Sequence, residues 1–247
     1  ETMVVLVTKT EIFPGRNNFM KMLLARHPGI TTVIQNINSK DTSAVLGNKE
    51  IVLHGKGYIT DTLGGYQFKI SSQSFYQINP KQTEVLYSTA LKLANLSKTD
   101  VLLDAYSGVG TIGIFASSLV DKVISVELEK SAYLDAIQNA KLNKIKNIHF
   151  FNDDATKFLV NMAKRKEKVD VIIMDPPRSG STLQFLNAVL MIKPKKIVYI
   201  SCNPYTLVED LQTLIKEYEI SSIQPVDMFP QTNHVECVVL MTNVKNK

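Results

Sequence analysis

The spacing of apolar residues along the chain changes character near position 80. Before it, short alternating stretches (Thr31-Thr-Val-Ile-Gln-Asn-Ile37, Glu50-Ile-Val-Leu-His54 and Gly65-Tyr-Gln-Phe-Lys-Ile70) are separated by turn signals at Gly29, Asn48, Gly55, Gly57 and Gly64-Gly65. That pattern predicts a small α+β or mostly β module. Asn79-Pro80 then supplies an N-cap and a first-turn proline, with Gln82 three residues after the cap and Val85, Leu86, Ala90, Leu91, Leu93 and Ala94 in periodic array, so a helix is expected to open there. From residue 100 onward apolar strand candidates at 101–104, 123–127, 148–151, 169–174 and 196–200 alternate with helical segments at 111–118, 130–142, 155–166, 181–191 and 204–217. Such alternation belongs to a parallel sheet covered on both faces. Two strand-like runs, 220–228 and 235–242, follow without a helix between them, so they pair like a hairpin and one must run antiparallel to the sheet. The expected fold class is α/β, divided into a small α+β domain over 1–72 and a larger domain over 73–247.

Composition sharpens this only modestly. The chain has 247 residues, 45% hydrophobic and 21% charged, enough to bury a core. Eleven Gly and nine Pro exclude collagen-like or low-complexity architecture. No apolar run reaches the roughly 18 residues of a membrane span. The N-terminal Glu1-Thr-Met-Val-Val-Leu-Val lacks the basic flank and cleavage site of a signal peptide and does not begin with Met, so a cytoplasmic protein, trimmed from a longer one, is expected. Cys202 and Cys237 cannot build a disulfide framework, and four scattered histidines show no zinc spacing, so no metal is expected. A net charge of +5, from 28 basic and 23 acidic residues, favours a polyanionic partner.

The segment Asp104-Ala-Tyr-Ser-Gly-Val-Gly-Thr-Ile-Gly113 follows the first predicted strand of the larger domain and opens a helix, where free N–H groups and the helix dipole favour a ligand. Gly108, Gly110 and Gly113 satisfy G-x-G-x-x-G, which keeps a dinucleotide oxidoreductase in play. Asp104 argues instead for S-adenosylmethionine: before the glycines it could accept from a methionine amino group, whereas it would repel a pyrophosphate. Glu127, ending the second strand, suits ribose hydroxyls in either reading. Asp154 is placed for an adenine amine or, equally, as the cap of the helix at 155.

Asp175-Pro-Pro-Arg178 ends the fourth strand at the sheet's carboxyl edge, where open α/β sheets bind ligands. Arg178 replaces the aromatic residue usual in adenine N6 methylation; it could clamp a phosphate or form a surface ion pair. Ser201-Cys-Asn-Pro204 ends the fifth strand and begins a helix, whose N-terminal field would favour a thiolate at Cys202. Cys237 reads as a buried structural cysteine, and inert filler is the alternative for Cys202. In His234-Val-Glu-Cys-Val-Val-Leu240, alternation puts Glu236 on the apolar face with Val238 and Leu240, where a carboxyl should titrate high, unless it is simply an exposed strand-start residue. If the last strand runs antiparallel beside the fifth, Cys202 and Glu236 face one pocket. A thiolate, a buried carboxylate and a methyl donor together match methylation of uracil carbon 5. The thiolate adds to carbon 6 and makes carbon 5 nucleophilic, and the base then removes the carbon 5 proton.

On five ordered motifs, Phe75-Tyr-Gln-Ile-Asn-Pro80, Asp104–Thr111, Asp175–Arg178, Ser201–Pro204 and His234–Cys237, the chain from Phe75 to its end resembles the RNA (uracil-5-)-methyltransferases. The resemblance implies a Rossmann-like class I methyltransferase fold whose mostly parallel seven-stranded sheet has an antiparallel last strand. It implies S-adenosyl-L-methionine as cofactor, Cys202 as nucleophile and Glu236 as proton acceptor. Gln77, Tyr106, Thr111, Glu127, Asp154 and Asp175 would line the cofactor and target-base pocket, with Gln77, Asp175 and Arg178 on the substrate. The implied partner is RNA, 23S ribosomal RNA ahead of tRNA. The family's N-terminal RNA-binding barrel and iron–sulfur motif have no counterpart in this sequence, and residues 1–70 resemble its central domain. Phe75, Tyr76 and Tyr205 are read as core aromatics, with stacking on bases as the alternative. A non-catalytic RNA-binding module is the remaining alternative.

Overall fold

In the computed structural model, which describes residues 1–40 and 45–244, the chain divides into two units. One comprises Glu1–Thr62 with Gln67–Ser74, the other Leu63–Tyr66 with Phe75–Lys247. In the first, β1 (Met3–Thr8), α1 (Arg16–Arg26), β2 (Thr32–Ile37) and β3 (Lys49–His54) build a three-stranded sheet in the order β1-β2-β3. β1 is parallel to β2, and β3 is antiparallel to it. Alternation locates β2 and β3 but not β1 or α1. The Met3-Val-Val-Leu-Val7 run has no period of its own and becomes a strand by pairing with β2. On α1 the apolar side chains do not gather on one face, and only Met20 is buried. β2 is buried along most of its length, polar residues included, and their side-chain amide nitrogens are paired. Gln35 Nε2 donates to Thr8 Oγ1 at 3.0 Å, and Asn36 Nδ2 to Gly47 O and Glu50 Oε1, each at 2.9 Å. β4 (Tyr58–Leu63) and β5 (Tyr66–Ser71) form a two-stranded sheet. Their two-residue link, Gly64-Gly65, has φ of +56° and +83°, the left-handed geometry such tight links demand.

The second unit opens with α2 (Pro80–Ala94), capped by Asn79, whose side chain accepts from Gln82 N. It continues through β6 (Val101–Ala105), α3 (Thr111–Ser117), β7 (Lys122–Glu127), α4 (Lys130–Leu142), β8 (Ile148–Asn152), α5 (Ala155–Lys164) and β9 (Val171–Met174). Then come α6 (Leu183–Ile192), β10 (Lys196–Ser201), α7 (Pro204–Leu214), β11 (Tyr218–Val226) and β12 (Glu236–Asn243). The seven strands stand in the order β11-β12-β10-β9-β6-β7-β8. β6 to β10 pair in parallel, and β12 runs antiparallel to both of its neighbours. The central strands are continuous apolar runs because both faces are covered: every residue of β9 is buried, and Leu103, Ile172, Ile197 and Tyr199 sit in the main core.

Two strand starts lie two residues from where the apolar pattern puts them, for local reasons. β9 starts at Val171 because Asp170 turns its carboxyl to Val101 N at 2.9 Å and to Lys195 Nζ at 2.8 Å. β11 begins at Tyr218, whose buried ring ends in a hydrogen bond to Pro194 O at 2.7 Å. Two features of topology position the site. Strand order reverses between β6 and β9, leaving a crevice at their carboxyl ends. The antiparallel pairing of β12 with β10, Ser201 opposite Cys237, brings the start of the last strand to the end of β10. Among the described residues no helix is long and apolar enough to cross a membrane.

Candidate active site

At the end of β6 the chain turns through Tyr106, whose φ of +65° is unusual for a residue with a bulky side chain. Its ring packs on Phe185 and its hydroxyl lies 3.3 Å from Ser181 Oγ. Asp104 lies beneath this turn, fully buried, and Oδ2 accepts from Gly113 N at 2.9 Å. Asp104 Oδ2 thus fastens the glycine loop from below, while Oδ1 is buried without a hydrogen-bond partner among the described residues, an acceptor left for the amino group expected of a ligand. A Cβ on Gly113 would come within 2.9 Å of Ser125 Oγ and 3.0 Å of Asp104 Oδ2, which explains that glycine by close approach. Burial pushes the Asp104 carboxyl up to about 7, Glu127 adding to the rise against the hydrogen bonds from Gly113 and Ser125.

Glu127, at the end of β7, accepts from Gly108 N at 2.8 Å and from Glu129 N at 2.7 Å. Asp154 caps α5 by accepting from Lys157 N at 2.9 Å. Both also line a cleft of about 410 Å³ shared with Tyr106 and Asp175. Thr111 is buried at the start of α3 and donates to Tyr87 Oη at 3.3 Å. With Gln77, Ser107, Tyr106 and Asp175 it lines a small hollow under the glycine loop. The Ser107 hydroxyl is buried there without a hydrogen-bond partner among the described residues.

Beside that cleft lies a cavity of about 570 Å³ into which Gln77, Tyr106, Asp175, Arg178, Cys202 and Glu236 all project. Sequence reasoning selected all six. Tyr106 and Asp175 line both spaces and form the wall between them. Glu236 is 4% exposed, which overturns the exposed strand-start alternative, and burial raises its carboxyl. Asp175 is pushed up to about 8, first by burial, then by the Glu236 and Asp104 carboxyls. The local field at α7 does not decide the state of Cys202: burial raises its thiol, Glu236 and Asp175 raise it further, and Arg178 opposes them. Cys237 is only partly buried, like Cys202, so burial does not separate the two; place in the sheet does.

Arg178 is exposed, and its guanidinium lies 3.2 Å from His234 Nδ1 rather than in the surface ion pair considered for it. His234 and Phe229 complete the cavity wall and were not singled out. His234 was legible within its motif, two residues before Glu236, whereas Phe229 sits in the link between β11 and β12 with no sequence signal. Phe75, another wall residue, is 71% exposed and Tyr205 is 82% exposed, so the core reading fails for both.

The sequence profile described as tRNA (uracil-5-)-methyltransferase matches residues 44–244. The chain belongs to that family. Similar curated proteins include uncharacterized RNA methyltransferases of Oceanobacillus iheyensis, 44% identical over 98% of this chain and 53% of the relative, and of Streptococcus pyogenes, 43% identical over 98% and 52%. The chain thus spans about half the length of the curated relatives it matches. Among solved structures, the Pyrococcus abyssi tRNA (uracil-54, C5)-methyltransferase in complex with S-adenosyl-L-homocysteine superposes with a TM-score of 0.75, 29% identity, and coverage of 97% of this chain and 56% of that one. A tRNA m1G37 methyltransferase of M. jannaschii, 15% identical with a TM-score of 0.60 over 98% and 73%, shares the fold. In this uracil-5-methyltransferase family member the sheet is that of class I S-adenosylmethionine-dependent methyltransferases. The dinucleotide reading of Gly108, Gly110 and Gly113 is set aside with the family assigned.

Proposed function

We propose that this chain is the catalytic part of an enzyme that methylates carbon 5 of a uridine in RNA with S-adenosyl-L-methionine. One observation carries the proposal: a thiol just past the end of β10 and a buried carboxyl at the start of β12 line one cavity, which shares Tyr106 and Asp175 with a cleft lined by Glu127 and Asp154. The cleft fits the cofactor. Its acids suit ribose hydroxyls and an adenine amine, Gln77, Thr111 and Tyr106 border the hollow beside it, and Ser107 keeps a buried hydroxyl in want of a partner. S-adenosylmethionine, when bound, supplies an electrophilic methyl group.

In this reading Cys202 Sγ adds to carbon 6 of the uracil, and the electron pair displaced from the 5,6 double bond makes carbon 5 nucleophilic. Gln77, Asp175 and Arg178 orient the base. After carbon 5 has gained its methyl group, Glu236 takes the carbon 5 proton and the carbon–sulfur bond breaks, releasing the thiolate and restoring the double bond. Burial raises the Glu236 carboxyl, which makes it a stronger base than an exposed glutamate. The RNA named first is 23S rRNA, on the resemblance of the motifs, with tRNA assayed beside it.

Incubation with cofactor and RNA containing 5-fluorouridine should trap a covalent adduct on Cys202, since fluorine cannot leave as the proton does. Cys202→Ala should lose both adduct and methyl transfer, whereas Glu236→Gln should form adduct but stall before elimination. A fully active Cys202→Ala protein overturns the proposal. RNA binding without any methyl transfer would favour the non-catalytic module.

A further inference from the structure

We propose that His234 is a positioning residue whose Nδ1 holds the Arg178 guanidinium at the wall of the Cys202–Glu236 cavity. This deepens the preceding reading and takes the role of Cys202 from it. Arg178 is exposed on the loop after β9, where a long side chain without a partner would sample many rotamers. It is fixed at both ends instead. Its carbonyl accepts from Asn203 Nδ2 at 3.0 Å and from Thr206 Oγ1 at 3.3 Å, the residues flanking the start of α7. Its guanidinium meets His234 Nδ1 at 3.2 Å.

A guanidinium has donors and no acceptor, so this contact requires a lone pair on Nδ1: the ring is neutral, with its proton on Nε2. His234 is itself anchored, its N–H donating to Thr232 Oγ1 at 3.2 Å and its ring standing edge-on to Phe229. The pair therefore bridges the Asp175–Arg178 loop and the lead-in to β12, both of which wall the cavity holding Cys202. Burial and the Glu236 and Asp175 carboxyls disfavour the Cys202 thiolate, and the Arg178 charge works against them from the cavity wall, so where the guanidinium is held contributes to how readily the thiol ionises.

Alkylation of Cys202 by iodoacetamide at pH 7, followed by mass spectrometry with Cys237 as internal reference, tests this without RNA or cofactor. His234→Ala and Arg178→Gln should each slow Cys202 by about threefold, through loss of thiolate. The double variant should be no slower than either single one. His234→Asn, whose Oδ1 can stand in for Nδ1 as acceptor, should recover most of the rate. A native or faster rate in His234→Ala, or effects that multiply in the double variant, overturns the inference. Absence of methyl transfer by the native protein would instead sink the preceding reading, and it leaves the alkylation comparison intact.

Discussion

At the scale of single residues, the chemistry is set by carboxyls that the sheet forces together. Asp104, Asp175 and Glu236 come from β6, the end of β9 and the start of β12, and the burial of each disfavours its charge. Cys202 feels two of them. Its thiol should titrate above the ordinary cysteine value of about 8.5, and Asp175→Asn should bring the midpoint down. The pH dependence of its alkylation rate measures both, and a midpoint below the ordinary value would contradict this account. Cys202 and Glu236 were legible as candidates because each breaks a local rule: a thiol at a helix N-terminus, a charge on an apolar strand face. The thiol's upward shift was not legible, since the neighbours that cause it are about 27 and 34 residues away in sequence and meet it only through strand pairing.

At the scale of elements, caps and close approaches hold the site-bearing loops. Asn79 both caps α2 and donates from Nδ2 to Met228 O at 3.1 Å, so Asn79→Ala should cost about 1 kcal/mol. Gly113→Ala should cost more, about 1–3 kcal/mol, because the new methyl group meets Ser125 and Asp104 while Asp104 Oδ2 is bonded to the same residue's N–H. Denaturant midpoints at constant slope would rank the two, and an unperturbed Gly113→Ala protein would refute the packing argument. Helices with caps and amphipathic faces were readable: α2 and α4 fall where the pattern puts them. α1 was not, because its apolar residues do not share a face, and β1 was not, because an unalternating run acquires meaning only from a partner strand.

At the scale of the whole molecule, the buried carboxyls predict how stability varies with pH. Unfolded, each aspartate titrates near 4; folded, Asp104 is at about 7 and Asp175 at about 8. Between those values the native state binds more protons than the unfolded one, so with respect to these groups stability is full below about pH 4, falls as pH rises towards 7 and 8, and levels off above them. The thermal midpoint of the ligand-free protein should therefore decline from pH 5 to pH 8. Asp104→Asn should flatten that decline and raise the midpoint at pH 8 by about 3 °C, the scale of about 1 kcal/mol in a chain of this size. A midpoint that stays level over that range would show that folding does not raise these carboxyls. By itself the sequence determined the alternation of strands and helices, the caps and glycine loop, and the residue types available for chemistry, because these depend on period and near neighbours. Only the tertiary structure decided that Glu236 faces Cys202 and that Arg178 rests on His234. It also decided that Asp104 Oδ2 ties down the glycine loop, because strand order and direction fix which distant side chains share one buried space.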